Sequence, residues 1–493
     1  MSLSTDTSTN LAELIESLPK GLFIDGQFQD AEDSATLDVI NPSDGSVLAK
    51  VAAGSAADAR RGLDSIVAAQ KSWAATPARE RSEILRTAFT LLTERAETLA
   101  QIMSAELGRA LPDSRGESAY GAEFFRWFAE EAVRISGDYR HNPAGNARIV
   151  VHRQPVGPVV AVTPWNFPLA MGARKIAPAL AAGCTIIVKP ASKTPLTMLY
   201  LAQVLKEAGL PDGVLAVVPT GSARDFSALL DDPRVRKLTF TGSTEVGQTL
   251  AAQAAKHSLN VSLELGGNAP YVVFEDADLD VAAEAVVAAK MRGAGQVCIA
   301  PNRFLVHSSV KEEFLDKVEG LLREFRVGPG TDPDSTYGPL SGDDQVDTVS
   351  RLVDDAVQRG ATRRMGELPA GLPEDGSYYP ITILSDIPAE AEIHREEIFG
   401  PVVAVTTFDD DDEAIRLAND TPFGLASYVF SRDLSRALDA AERIEAGMVA
   451  VNKGALSDPA APFGGVKESG NGREGGFEGI DEYLETKFIS LPL

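Results

Sequence analysis

Apolar and polar positions change rhythm near residue 150 of this chain. Before it, from about residue 56 to 135, apolar residues recur at helical spacing, as in RGLDSIVAAQKSW and SEILRTAFTLLTERAETLAQIM. After it, short apolar runs alternate with amphipathic ones. VGPVVAVTP, CTIIVKP, GVLAVVP and VRKLTFTG predict buried strands, while LTMLYLAQVLKEAG and TEVGQTLAAQAAKH predict helices. Thr194 stands as an N-cap before Pro195 at the first helical position, and that helix is predicted to end at Gly209. Strand alternating with helix implies right-handed crossovers and a mostly parallel sheet. Such sheets take ligands beyond the carboxyl ends of their strands, which singles out the strand exits TPWNFP, KPAS and TGSTEVG.

Beyond NVSLELGGNAPYVVF the alternation resumes. VAAEAVVAAKMRGAG and KEEFLDKVEGLLREF predict helices; NRFLVH, VVAVTTF and MVAVN predict strands. Two α/β domains with a boundary near Gly266 account for this order. YRHNPAGNARIVVHRQP predicts a hairpin turning near Gly145, and the tail ETKFISLPL an exposed strand. Exposed strands pair with something, so a subunit interface is expected there. The first ten residues, rich in Ser and Thr, are expected to be disordered.

Composition narrows the function. A chain of 493 residues is too long for one ordinary core. Its net charge of −25 disfavours nucleic acid and anionic membranes, and any anionic ligand then needs local positive groups. The two cysteines, Cys184 and Cys298, exclude a disulfide scaffold and fit a reducing compartment. The five histidines are scattered, so no metal site is predicted. The first basic residue is Lys20, which predicts no secretory signal. The longest uncharged stretch, between Arg153 and Arg174, carries four prolines and is no membrane helix. A soluble, cytoplasmic protein is expected.

Four features carry candidate chemistry. Cys298, in GAGQVCIAPNRF, follows Gly293 and Gly295, which let the backbone turn sharply. A buried cysteine reads as a small hydrophobe, and a nucleophilic one needs surroundings that favour the thiolate. No histidine is close in sequence, so a Cys–His pair would need His257, His307 or His394 brought in by the fold. Glu264 is one charge in an apolar run: either a salt-bridged strand end or a desolvated general base. Asn166 is either a turn former or a side-chain donor to an oxyanion. In FTGSTEVG a strand runs through a glycine turn into a helix, whose N-terminus offers N–H groups to a pyrophosphate, although GxGxxG is absent. Lys189 in KPAS supplies positive charge at a strand end.

TPWNFP, KPAS, FTGSTEVG, ELGGNAP, GQVC, EEIFGPV and PFGGVKESGNGREGG occur in this order across almost the whole chain. Together they resemble the aldehyde dehydrogenase superfamily. The resemblance implies two doubly wound α/β domains and a small β oligomerisation element. It puts a Rossmann-like dinucleotide-binding domain at 1–136 and 155–265, a catalytic domain at 266–470, and oligomerisation strands at 137–154 and 480–493. It implies that the Cys298 thiolate attacks the aldehyde, that the Asn166 amide and the Cys298 N–H hold the oxyanion, and that Glu264 activates the water that releases the acid. Lys189 and Glu397 would hold cofactor ribose hydroxyls, and Gly242 and Ser243 would lie at the pyrophosphate with Trp165 nearby. Phe399 would pack at the nicotinamide region, with Leu265 also in the cofactor site.

Within the superfamily, NFPLAMGARKIAPALAAGCT and GREGGFEGIDEYLETKF are most similar to the succinate-semialdehyde dehydrogenases. That implies a clamp of Arg174, Arg292 and Ser457 on the distant carboxylate, a task that suits arginine's planar fork. Asp458 beside Ser457 would repel an acidic substrate if it pointed inwards, which leaves room for glutarate semialdehyde, a 2-oxo relative or a neutral aldehyde. Many NAD-preferring members carry Glu where this chain has Ser192, with Lys189 and Lys193 close in sequence, so NADP is expected to be preferred and NAD accepted. Ala300 stands where some members carry a second cysteine, so no redox switch is expected. A homodimer or homotetramer is expected.

Overall fold

The computed structural model describes residues 11–493; the disorder expected for the first ten lies outside the described residues. The early helical pattern forms four helices, Ala56–Ala75, Ala78–Glu94, Ala96–Leu107 and Leu111–Ala132. The first is started by a capping box in which Ser55 and Asp58 satisfy each other's backbone N–H groups.

The alternating segment builds an eight-stranded sheet. Its five parallel strands lie in the order Leu215–Val217, Ile186–Lys189, Val159–Val162, Lys237–Thr241, Asn260–Glu264. In chain order that is 3-2-1-4-5, so the winding reverses between Val159–Val162 and Lys237–Thr241, where diverging loops leave a crevice. TPWNFP and TGSTEVG are the two loops that leave the sheet there. Two antiparallel additions at the edges have no signal in the periodicity: the hairpin Leu22–Ile24 with Gln27–Gln29, and the two-residue strand Gly470–Asn471. They are too short to show alternation.

The chain passes to a second, seven-stranded sheet between Glu264 and Ala269. Its strands run parallel except Thr362–Met365 at one edge. The hairpin Asp138–His141 with Ala147–Pro155 turns through Gly145 at φ 69° and pairs with the tail strand Leu484–Pro492.

Two local expectations are corrected. Thr194 occupies the N-cap position, but its hydroxyl makes no cap bond. Instead the buried Glu106 carboxylate, from helix Ala96–Leu107, accepts the N–H groups of Leu196 at 2.8 Å and Thr197 at 3.0 Å. The helix predicted over VAAEAVVAAKMRGAG ends at Val286; a wide π turn, Val287–Met291, follows, and then Gly293, Ala294 and Gly295 at φ 58°, 56° and 75°. A Cβ on Gly295 would collide with the Gly400 carbonyl oxygen, so glycine is required where the chain swings towards Cys298.

Among the described residues no helix is long and apolar enough to cross a membrane.

Candidate active site

Three strand exits of the first sheet, at Pro164–Asn166, Thr241–Ser243 and Leu265–Gly266, meet the Cys298 loop and the segment of Glu397 and Phe399 around one cavity. Cys298 lies three residues before strand Pro301–His307, so the site sits between the carboxyl ends of one sheet and the amino end of a strand in the other. Gly267 makes this approach feasible, because a Cβ there would lie 2.5 Å from the Cys298 carbonyl oxygen.

The loops are braced from helix Leu111–Ala132. Glu117 accepts the N–H groups of Leu169 and Ala170 and pairs with Arg109, which donates to the Asn166 carbonyl. Asp113, one turn earlier, accepts the Gly293 N–H at 2.7 Å. One helix face therefore holds both the Asn166 turn and the Cys298 loop. The Asn166 amide donates to the Gln296 carbonyl at 3.0 Å, and its Oδ1 is buried without a donor.

Burial pushes the Cys298 thiol up to about 12. Glu397 and Glu264 add to this, while Arg174 and Arg292 oppose it. The positive charges that a thiolate needs are present, but desolvation outweighs them, so the resting group is the thiol. Glu264 is 3 % exposed, and its Oε2 has no hydrogen-bond partner. Burial holds its carboxyl well above the usual carboxylate range, and Glu474 pushes the same way. Arg174, Lys175 and Arg473 oppose them. Cys184 is elsewhere, buried against the Tyr483 carbonyl with its thiol pushed up to about 11 by burial.

On the cofactor side, Gly242 and Ser243 lead into helix Thr244–Ala255, whose first turn receives no side-chain cap from the exposed Ser243. Uncapped N–H groups at the start of a twelve-residue helix suit a pyrophosphate. Trp165 stands edge-on to Phe399 with ring centroids 5.4 Å apart. Phe399 itself is held at φ 51°, a strained conformation for an aromatic residue. Glu397 Oε1 accepts the Gly267 N–H at 3.2 Å, and burial pushes its carboxyl up to about 8 against that bond and Lys290. Lys189 and the exposed Ser192 fall outside the cavity lining. Lys189 is half-buried with its ammonium 3.5 Å from the Pro190 carbonyl, and burial lowers its pKa. Lys193 is drawn to Asp344 at 2.6 Å, so its charge is already answered. The anion-ready helix start and aromatic lining fit a nicotinamide dinucleotide.

On the other side of Cys298 a narrower cavity is lined by Tyr120, Phe167, Arg174, Arg292, Ser457 and Phe463 among others. The three expected clamp residues thus converge beside the thiol. Arg174 is 1 % exposed and bound to Glu474, yet its Nη2 has no partner. Arg292 carries an unpartnered Nε, with its guanidinium 5.2 Å from the Phe167 ring centroid. Ser457 Oγ lies 2.5 Å from Tyr120 Oη. Asp458 is exposed, its Oδ1 accepting the Ala460 N–H at 2.8 Å, so the repulsion foreseen from its position does not arise.

The sequence reading missed Glu474, Lys175, Phe463 and Tyr120. Glu474 and Phe463 lie within PFGGVKESGNGREGG, but nothing in that string says which charge is buried. Lys175 directly follows Arg174, and two adjacent cations inside the otherwise apolar helix Ala170–Ala182 were a signal for a buried counter-charge.

Residues 28–489 match the aldehyde dehydrogenase family. The chain belongs to that family. Among similar dehydrogenases is the succinate-semialdehyde dehydrogenase of Paenarthrobacter nicotinovorans, 52 % identical over 90 % of this chain and 99 % of that protein. The glutarate-semialdehyde dehydrogenase of Pseudomonas aeruginosa is 45 % identical over 95 % of this chain and 97 % of its own length. A solved NADP-dependent enzyme of E. coli superposes with a TM-score of 0.95 at 42 % identity, covering 99 % of this chain and 100 % of that one. The fold is therefore shared over 99 % of the chain.

Proposed function

We propose that this aldehyde dehydrogenase oxidises succinate semialdehyde to succinate with NADP, and less readily with NAD. The observation that carries the substrate is the pair of arginines beside Cys298, each with a buried guanidinium nitrogen lacking an acceptor. A buried unpaired cationic donor is costly. A carboxylate at the far end of the aldehyde would satisfy both, with Ser457 as a third donor.

Cys298 Sγ, once deprotonated, adds to the aldehyde carbon, and the oxyanion forms against the Asn166 amide and the Cys298 N–H. When bound, the nicotinamide supplies the hydride acceptor that turns the Cys298 adduct into a thioester. Glu264 then takes a proton from water, whose oxygen attacks the thioester carbon and expels Sγ with release of the acid. Gly242, Ser243 and the helix they open would hold the pyrophosphate, Trp165, Leu265 and Phe399 would enclose the cofactor, and Lys189 and Glu397 would take its ribose hydroxyls. In this reading the first sheet with residues 1–136 and 155–265 serves the dinucleotide, and 266–470 the catalytic half. The exposed Tyr139 and Phe488 on the three-stranded sheet support a homodimer or homotetramer through 137–154 and 480–493, and the free cysteines a cytoplasmic setting.

The deciding measurement is kcat/KM for succinate semialdehyde, glutarate semialdehyde, a 2-oxo semialdehyde and butanal, each with NADP and NAD. In Arg292→Ala, loss of a charge-assisted bond lowers the succinate semialdehyde value about ten- to hundredfold. Butanal should lose far less; equal losses would remove the carboxylate clamp. Arg292 is the better probe, since removing Arg174 also strips a partner from buried Glu474.

Ser192 carries the cofactor preference. Ser192→Glu places a carboxylate where the 2′-phosphate is expected, and the NADP-to-NAD ratio of kcat/KM should fall about tenfold or more. A ratio unmoved by this change would take Ser192 out of the cofactor site.

A further inference from the structure

Arg174 is held from a single pair of facing residues. Phe463 and Glu474 form a short antiparallel bridge, the Phe463 N–H donating to the Glu474 carbonyl at 2.7 Å and the Glu474 N–H to the Phe463 carbonyl at 2.8 Å. Both side chains reach Arg174 from that bridge. The guanidinium carbon lies 3.9 Å from the centroid of the Phe463 ring. The Glu474 carboxylate accepts from Arg174 Nε with one oxygen and from Lys175 Nζ with the other. With Nε taken and one face covered, Nη2 is left buried and unpaired in a side chain that lines the cavity beside Cys298. An unrestrained arginine has many rotamers, and fixing one makes it a directional reader of an anion.

We infer that Phe463 and Glu474 are positioning residues for specificity: by fixing the Arg174 guanidinium from one bridge, they set the preference of this site for aldehydes that carry a remote anionic group. The inference rests on the clamp proposed above. It differs from a purely structural role, because a structural role would affect acidic and neutral aldehydes alike.

The test is the ratio of kcat/KM for succinate semialdehyde to that for butanal in wild type, Phe463→Leu and Phe463→Tyr. Phe463→Leu removes the ring under the guanidinium, and the ratio should fall about tenfold, chiefly through KM for the semialdehyde. Phe463→Tyr keeps the ring and should restore most of the ratio. A ratio unchanged in Phe463→Leu, or lowered equally in both variants, overturns the inference. A wild-type ratio near one overturns the clamp itself, which is a separate result. Should Phe463→Leu fail to fold, Glu474→Gln carries the same test. It offers one acceptor oxygen to two buried cations, so the ratio should again fall through KM, and an unchanged ratio overturns the inference.

Discussion

In Cys298→Ala, NADP reduction by any aldehyde falls by about 10,000-fold or more, because removing a covalent nucleophile removes the route and not merely one contact. Cofactor affinity, measured by calorimetry, stays near the wild-type value, since in the proposed function the dinucleotide would rest on the Gly242–Ser243 helix start and the Trp165–Phe399 pair. Cys298→Ser stays close to the alanine level, because a serine hydroxyl is harder still to ionise in surroundings that already push a thiol up to about 12. The variant also removes the burst of reduced cofactor in the first turnover. Turnover above about one per cent of wild type in Cys298→Ala would contradict a covalent route.

The same residue marks how far the sequence could be read. The alternation of strand and helix revealed the parallel strands of both sheets, because buried parallel strands are continuous apolar runs and leave a plain signature. Asn166 and the three residues expected to form a clamp, Arg174, Arg292 and Ser457, line the two cavities that meet at Cys298. What stayed hidden was long-range polar pairing. Glu106 capping a helix ninety residues away, Asp113 and Glu117 bracing two loops, and Glu474 answering Arg174 and Lys175 across 300 and 299 positions have no periodicity to betray them. A charge in a helical pattern looks the same whether it faces solvent or a buried loop. The unwinding after Val286 was hidden for a different reason. The apolar pattern of VAAEAVVAAKM continues smoothly through Val287–Met291, where the backbone widens into a π turn, so the periodicity carries no sign of the change.

Glu264→Gln separates the two halves of the reaction. The amide keeps the shape of the carboxyl but cannot take a proton from water, so thioester hydrolysis slows by about 100- to 10,000-fold. Cys298 and Asn166 are untouched, so one equivalent of reduced cofactor still forms rapidly and then turnover stalls. The pH dependence gives the sign. Glu264 is raised by burial and by Glu474, so at low pH it is protonated and idle; as pH rises through its elevated pKa it becomes the carboxylate that accepts the proton. Wild-type kcat under deacylation control therefore climbs with pH along a limb well above the ordinary carboxylate range. The Cys298 thiol is raised too, so the burst rate also climbs with pH. The variant tells the limbs apart: the burst keeps its rise, whereas the slow steady state loses the Glu264 limb. If instead the burst disappears and the steady-state profile is unchanged, Glu264 acts on the attack by sulfur and not on water, and the assignment of the general base fails.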